Sequence, residues 1–190
     1  MKINLESQLE KSNQIKNHIV SSASKLSSEE YNWKSHPKKW SVQEVIKHLS
    51  LVYDKYLDNF EKAIESAPDF HSDERTKTQR TIMGRLSIYS MKPKGNKRSF
   101  KMKTFDFFTP LVENENIDST ISEFLDKKEK FNTLLKRARL KNLKNIKMPT
   151  SLGEKMKFYV PECFEFIIAH EERHLIQIDE IFLELKKNAN

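Results

Sequence analysis

Apolar residues recur at helical spacing in four long stretches of the chain. In residues 3–26, Ile15, Ile19, Ala23 and Leu26 follow at intervals of four, four and three, which places them on one face of a helix. A second stretch starts sharply at Ser41. Ser41 and Glu44 make an S-x-x-E pattern, in which the serine accepts from the third helical amide and the glutamate reaches back to the serine's own amide. Val45, His48, Leu49, Val52, Tyr56, Leu57 and Phe60 then share one broad face, and the helix runs to about Ser66, before Pro68. Residues 117–141 repeat the pattern with Ile117, Ile121, Phe124, Leu125, Phe131, Leu134, Leu135 and Ala138. The last helix opens at Pro161, where a missing N–H costs nothing, and continues to about Lys187. Its stripe is Cys163, Phe166, Ile167, His170, His174, Gln177, Ile178 and Ile181.

The intervening segments break the period. Residues 27–39 read as a connector. Residues 74–91 predict a short accessory helix with Ile82, Leu86 and Tyr89 inward and Arg75, Arg80 and Arg85 outward. Residues 92–116 have no period but carry an apolar patch at 105–111, so they read as a crossover packed over the bundle mouth. Residues 142–159 are Lys-rich, contain Pro149 and Gly153, and read as a loop. The predicted fold is all-α: a four-helix bundle with a long crossover and a short accessory helix, forming one domain over residues 1–190.

Composition agrees with this and narrows the compartment. Three Gly and six Pro in 190 residues are too few for the many tight turns of a sandwich or barrel. Cys163 is the sole cysteine, so no internal disulfide framework exists. No apolar run approaches the roughly 18 residues of a membrane span, and the first residues lack a signal-peptide core. The expectation is a cytoplasmic protein with no membrane partner. The net charge is +7, densest at Lys92, Lys94, Lys97, Arg98, Lys101 and Lys103. Only Phe100 and Phe105 lie nearby, without the aromatic interleaving or recognition helix of nucleic-acid sites. The charge therefore reads as a solvated loop, and nucleic acid is not the expected partner.

The candidate chemistry lies in the histidines. His170 and His174 are four residues apart, stacked on one helix face about 5–6 Å apart at Cβ. Both fall on the core-facing stripe, and so does His48 on another helix. A lone inward histidine is ordinarily a hydrogen-bonded core residue. Three of them, each desolvating a polar ring, are hard to explain as packing, and coordination of one divalent ion explains them together. His36 and His71 lie in connectors and read as solvated; His18 sits at the edge of its stripe. Gln177, one turn past His174, reads as a donor behind the ligands, an outer ligand, or a buried glutamine bonding a neighbouring helix. Cys163 is two turns before His170, about 10 Å of axial rise, and reads as core packing rather than a soft ligand.

The string His170-Glu-Glu-Arg-His174 is literally H-E-x-x-H, the metalloprotease signature, with Glu171 as its general base. Such an enzyme needs a third ligand from downstream. Only 16 residues follow His174, and Glu184 on the same helix lies about 15 Å beyond it. Nor does any strand offer a place to lay a peptide. Glu171 and Glu172 then read as solvated residues, and Arg173 as exposed or salt-bridging.

Trp40-Ser-Val-Gln-Glu-Val-Ile-Lys-His48-Leu, followed near the C-terminus by His170-Glu-Glu-Arg-His174-Leu-Ile-Gln-Ile178, resembles the DinB-like (YfiT-like) superfamily. The residues 26–31 before Trp40 and the Phe-rich 105–110 also look typical, so the resemblance covers most of the chain. It implies an up-down-down-up four-helix bundle with a three-histidine metal site, whose ligand positions match His48, His170 and His174. Trp40, Ser41 and Glu44 match a helix-start motif. Members include metal-dependent thiol transferases and isomerases that use low-molecular-weight thiols, and dimers are common. The expected function is a metal-dependent hydrolase or thiol S-transferase. It would hold Zn²⁺ or Ni²⁺, with Fe or Mn as alternatives, and activate a thiol or water toward a small-molecule substrate. The alternative is a non-catalytic, stress-related metal- or ligand-binding bundle. No motif assigns a catalytic side chain.

Overall fold

The computed structural model describes residues 3–70, 79–98, 103–112, 116–151 and 153–188. Six helices and one hairpin make up the described chain. Helices α1 (Leu5–Ala23), α3 (Val42–Glu65), α5 (Ile117–Ala138) and α6 (Val160–Asn188) are the four long stretches read from the sequence. Each presents its apolar stripe to a shared core that includes Ile15, Ile19, Val45, Leu49, Phe60, Phe124, Phe131, Phe164 and Ile178. None of the described helices is long and apolar enough to cross a membrane.

Ion pairs and ring contacts between helices give the topology. Lys11 meets Glu172 and His18 meets Asp179, so α1 and α6 run parallel. Lys47–Glu123, Asp54–Lys127 and Glu61–Arg137 make α3 and α5 parallel. Lys16–Glu129 and Glu6–Arg139 set α1 antiparallel to α5. Phe60 stacked on Phe164 at 4.0 Å and His48 beside His170 set α3 antiparallel to α6. The bundle is therefore up-down-down-up.

The capping box at Ser41 forms as expected: Ser41 Oγ accepts from Glu44 N at 3.2 Å, and Ser41 N donates to Glu44 Oε2 at 2.8 Å. A second box, Ser27 with Glu30, starts a short helix α2 (Ser28–Asn32) inside the expected connector. The segment 142–159 is not wholly a loop. Strands β1 (Lys147–Thr150) and β2 (Gly153–Tyr159) pair antiparallel, with Met148 opposite Phe158 and both buried. Thr150 pairs with Gly153, whose positive φ of +119° glycine adopts without strain.

The accessory helix α4 (Ile82–Met91) exists, but its predicted faces are reversed. Ile82, Leu86 and Tyr89 are all more than half exposed, while Gly84 and Ile88 are buried. Arg85 points outward as expected; Arg75 lies outside the described residues. Polar clamps overrule the apolar stripe. Thr81 N, at the start of α4, donates to Glu162 Oε1 of α6 at 2.8 Å. Arg80 and Lys92, flanking the helix, both pair with the buried Glu165, at 2.6 and 2.8 Å. Arg80 is thus turned inward, not outward. A Cβ at Gly84 would come within 2.7 Å of Glu162 Oε1, so glycine is what lets α4 lie this close to α6.

Glu171, expected to be solvated, is buried at 1% exposure. Its carboxylate accepts from Lys128 Nζ at 2.7 Å on both oxygens and from the Tyr53 hydroxyl. Lys128 on α5 is fully buried. Burial lowers its pKa and the Glu171 carboxylate opposes that; burial, then Glu171, raise the Tyr53 pKa. One buried cluster thus ties α3, α5 and α6 together.

Removing one partner of such a pair strands the other charge in the core. Lys128→Met should lower the unfolding free energy by about 3–5 kcal/mol. The double variant Lys128→Met/Glu171→Gln should recover at least half of that loss. Urea denaturation of chelator-treated protein measures both; a single-variant loss under about 1 kcal/mol would contradict a buried ion pair.

Candidate metal centre

His48 lies in the second turn of α3, on the face shared with Val45, Leu49 and Val52. His170 and His174 lie mid-helix on α6, and the antiparallel α3–α6 crossing brings the two faces together. His48 Nε2 is 3.2 Å from His170 Nε2, and His174 Nε2 is 3.1 Å from the same atom. The three rings are buried, and their ligand nitrogens all lie within 4.8 Å of one another. No other group of three or more His, Cys, Asp or Glu among the described residues is so placed.

The outer nitrogens fix which atom faces inward. His48 Nδ1 donates to the Phe108 carbonyl at 2.8 Å, since a carbonyl only accepts. His174 Nδ1 donates to Gln177 Oε1 at 3.0 Å. With Nδ1 carrying the hydrogen, each Nε2 presents a lone pair. Two lone pairs therefore face His170 Nε2 from about 3 Å. A proton on that atom satisfies only one of them, whereas a divalent cation among the three satisfies all. Nitrogens about 2.0–2.1 Å from a tetrahedral ion stand about 3.3 Å apart, close to the 3.2 and 3.1 Å that separate His170 Nε2 from the other two. Three neutral imidazoles suit Zn²⁺, Ni²⁺ and related ions, so the donor set can bind a metal.

The electrostatics favour the neutral rings. Burial pushes His48 down to about 4, only partly offset by its bond to Phe108. Burial, then the neighbouring imidazoles, hold His170 and His174 well below the ordinary 6.5. Protons do not compete for these nitrogens at neutral pH.

Other expected residues fall into place around this centre. Gln177 bonds His174 on its own helix, not a neighbouring one. Cys163 is buried in the core, and burial, then Glu162, raise its thiol pKa; it is packing, not a thiolate ligand. His36 is exposed and His18 pairs with Asp179 at the surface; His71 lies outside the described residues. Trp40, read as part of a helix start, also walls the site, its ring 4.8 Å from His48 and stacked 6.2 Å from His174. Phe108, from a 3₁₀ turn (Asp106–Phe108) in the crossover, sets its ring edge-on to His48 at 6.0 Å. Its carbonyl is a site contact that sequence could not give, because any residue supplies a carbonyl.

A cavity of about 1050 Å³ opens onto His48, His170 and His174. Val52, Tyr56, Phe158 and Phe166 line its apolar side. The Tyr56 hydroxyl accepts from Ser151 N at 3.2 Å, which ties the hairpin to the cavity wall. Arg173 also lines the cavity and is 7% exposed, so of its two expected states, exposed or salt-bridging, the exposed one is not found. Burial, then the nearby Arg98, lower its pKa, with Glu180 opposing.

The depressed histidines make stability pH-dependent. The unfolded chain takes up protons near pH 6.5, but the fold resists them down to about 4 at His48. Stability of metal-free protein should therefore be full above pH 6.5 and fall as pH drops toward 4. For His48 alone the loss is on the order of 3 kcal/mol. Denaturation midpoints between pH 4 and 8 measure this, and the slope should flatten in His48→Ala. A wild-type profile flat across that range would contradict buried neutral rings.

The family model of the DinB superfamily matches residues 16–178. No curated protein and no solved structure matches the chain. The matched span runs from α1 into α6 and contains His48, His170 and His174. With most of its length covered, the chain belongs to the DinB superfamily.

Proposed function

We propose that the protein is a metal-dependent enzyme in which His48, His170 and His174 hold one divalent ion, Zn²⁺ or Ni²⁺ in the first place. The reaction is attack by a thiol or water on a small substrate. The observation that carries this is the convergence of three Nε2 atoms whose outer nitrogens are already engaged or buried. Three protein ligands leave at least one coordination position open, as in catalytic rather than structural sites. Bound there, a divalent ion would act as a Lewis acid and lower the pKa of a coordinated water or thiol.

The chain's own groups prepare the site. The Phe108 carbonyl and Gln177 Oε1 hold two imidazoles with Nε2 inward, the supporting role that acceptors behind metal-bound histidines play. Because Gln177 Oε1 is occupied by His174, it does not serve as a fourth ligand, which favours catalysis over a closed structural centre. Trp40 packs on two of the rings, and Val52, Tyr56 and Phe166 offer apolar surface to a substrate. Glu171 is held by Lys128 and Tyr53 in the core, so it is not the base of a peptidase.

Purified without a histidine tag, the protein should carry or take up about one equivalent of Zn²⁺ or Ni²⁺, measured by mass spectrometry of the metal. Metal should raise the melting temperature, and His48→Ala, His170→Ala and His174→Ala should each abolish that rise. A screen of small electrophiles with several thiols and with water should find turnover that the same variants lose. Uptake below roughly a tenth of an equivalent would overturn the metal assignment. Full uptake with every coordination position filled by protein would overturn catalysis and leave a metal-binding module.

A further inference from the structure

The cavity beside the histidines is basic on one side. Lys38 and Lys39 line it from the segment before α3, Lys97, Arg98 and Lys103 from the crossover, and Arg173 from α6. Among the described lining residues these cations outnumber carboxylates two to one. Of the three carboxylates, Glu184 pairs with Lys39 at 2.8 Å and Glu180 with Arg98, and the third is Asp106.

Arg173 differs from the rest of this rim. It follows His170 by three residues on a continuous helix, so the two are neighbours about 5–6 Å apart at Cβ. It is nearly buried yet borders the cavity. Glu180 lies two turns further along the same face and brings in Arg98 from the crossover. Two guanidinium groups thus share one wall with one carboxylate between them. Trp40, Phe105 and Phe108 line the same cavity, and charges beside apolar surface act more strongly than charges in open water. A guanidinium is a rigid planar fork that fits carboxylate, sulfonate or phosphate with two bonds.

We propose that this cavity takes a small anionic molecule whose charged end is held by Arg98 and Arg173. Its reactive atom then lies at the three histidines, about one helical turn away. The position of the reactive atom rests on the metal assignment above; the anion contact does not. The charge gives the cavity a means of choosing among thiols, because a neutral thiol of equal size gains nothing from the arginine wall.

The test uses two thiols that differ in charge, 2-mercaptoethanesulfonate and 2-mercaptoethanol, titrated by calorimetry into the zinc-loaded full chain. The sulfonate should bind at least about tenfold tighter. In Arg98→Gln and in Arg173→Gln the preference should fall below about threefold, with mercaptoethanol affinity unchanged within roughly twofold. Arg98 is one-third exposed, so its variant keeps the test decisive if Arg173→Gln does not fold. Ethane-1,2-disulfonate, which has no thiol, is titrated in parallel into chelator-treated protein. Arginine-dependent binding there supports the anion site even where zinc uptake fails. Equal affinities for the two thiols in zinc-loaded wild type would overturn the proposal. A preference that survives in both arginine variants would also overturn it, because the charge is then read by the rim at large. If zinc uptake fails, absence of disulfonate binding overturns it instead.

Discussion

Everything at the candidate centre depends on keeping α3 and α6 in one register, and a buried charge cluster sits where that register is set. Lys128 reaches from α5 to Glu171 on α6, and the Tyr53 hydroxyl closes on the same carboxylate from α3. Glu171 follows His170 directly, and Tyr53 is five residues past His48, so the cluster and the histidines lie at neighbouring levels of the bundle. An apolar core tolerates sliding of one helix by part of a turn at modest cost. A buried ion pair does not, because any slip leaves a desolvated charge alone. The cluster adds little net stability over a well-packed apolar core. Its effect is to make misregistered packings expensive, and the same registration keeps three imidazole nitrogens within bonding distance of one point.

Much of this was legible in the sequence. The four long helices follow from apolar spacing, the start of α3 from Ser41 and Glu44, and the three site histidines from their places on core-facing stripes. The charged pair left a signal too. Phe124, Lys128, Phe131 and Leu135 recur at spacings of four, three and four, as do Ile167, Glu171, His174 and Ile178. Each stripe thus has one charged residue at an inward position, and the charges are opposite. Lys128 sits inside the run Asp126-Lys-Lys-Glu-Lys130, where composition suggests a solvated face. Glu171 sits in a string that suggests a peptidase base. Local composition concealed what the period alone would have given.

Other features were beyond any periodic rule. On α4 the apolar stripe of Ile82, Leu86 and Tyr89 is exposed, because hydrogen bonds and ion pairs to Glu162 and Glu165 decide which side faces α6. Those carboxylates are more than 70 residues away along the chain. The hairpin hides behind Lys residues, since only Met148, Thr150 and Phe158 among its described residues turn fully inward. The contact of His48 with the Phe108 carbonyl carries no side-chain signature at all.

That carbonyl assigns the crossover a purpose that its irregular sequence does not advertise. A long aperiodic connection would be a liability if it merely joined α4 to α5. Here it supplies the acceptor that selects the His48 tautomer, and Phe108 is buried against the bundle to hold that acceptor in place. His174 has its acceptor on the same helix, at Gln177, so its orientation is set as soon as α6 forms. His170 Nδ1 is buried without a hydrogen-bond partner among the described residues, and its ring is placed by packing between Phe166 and the other two imidazoles and by its Nε2 contacts with them. The three rings are thus held by three different means, of which only the crossover contact depends on a segment outside the helices. The same segment contributes Lys97, Arg98 and Lys103 to the cavity. Whatever displaces the crossover therefore alters the basic wall and the orientation of His48 together.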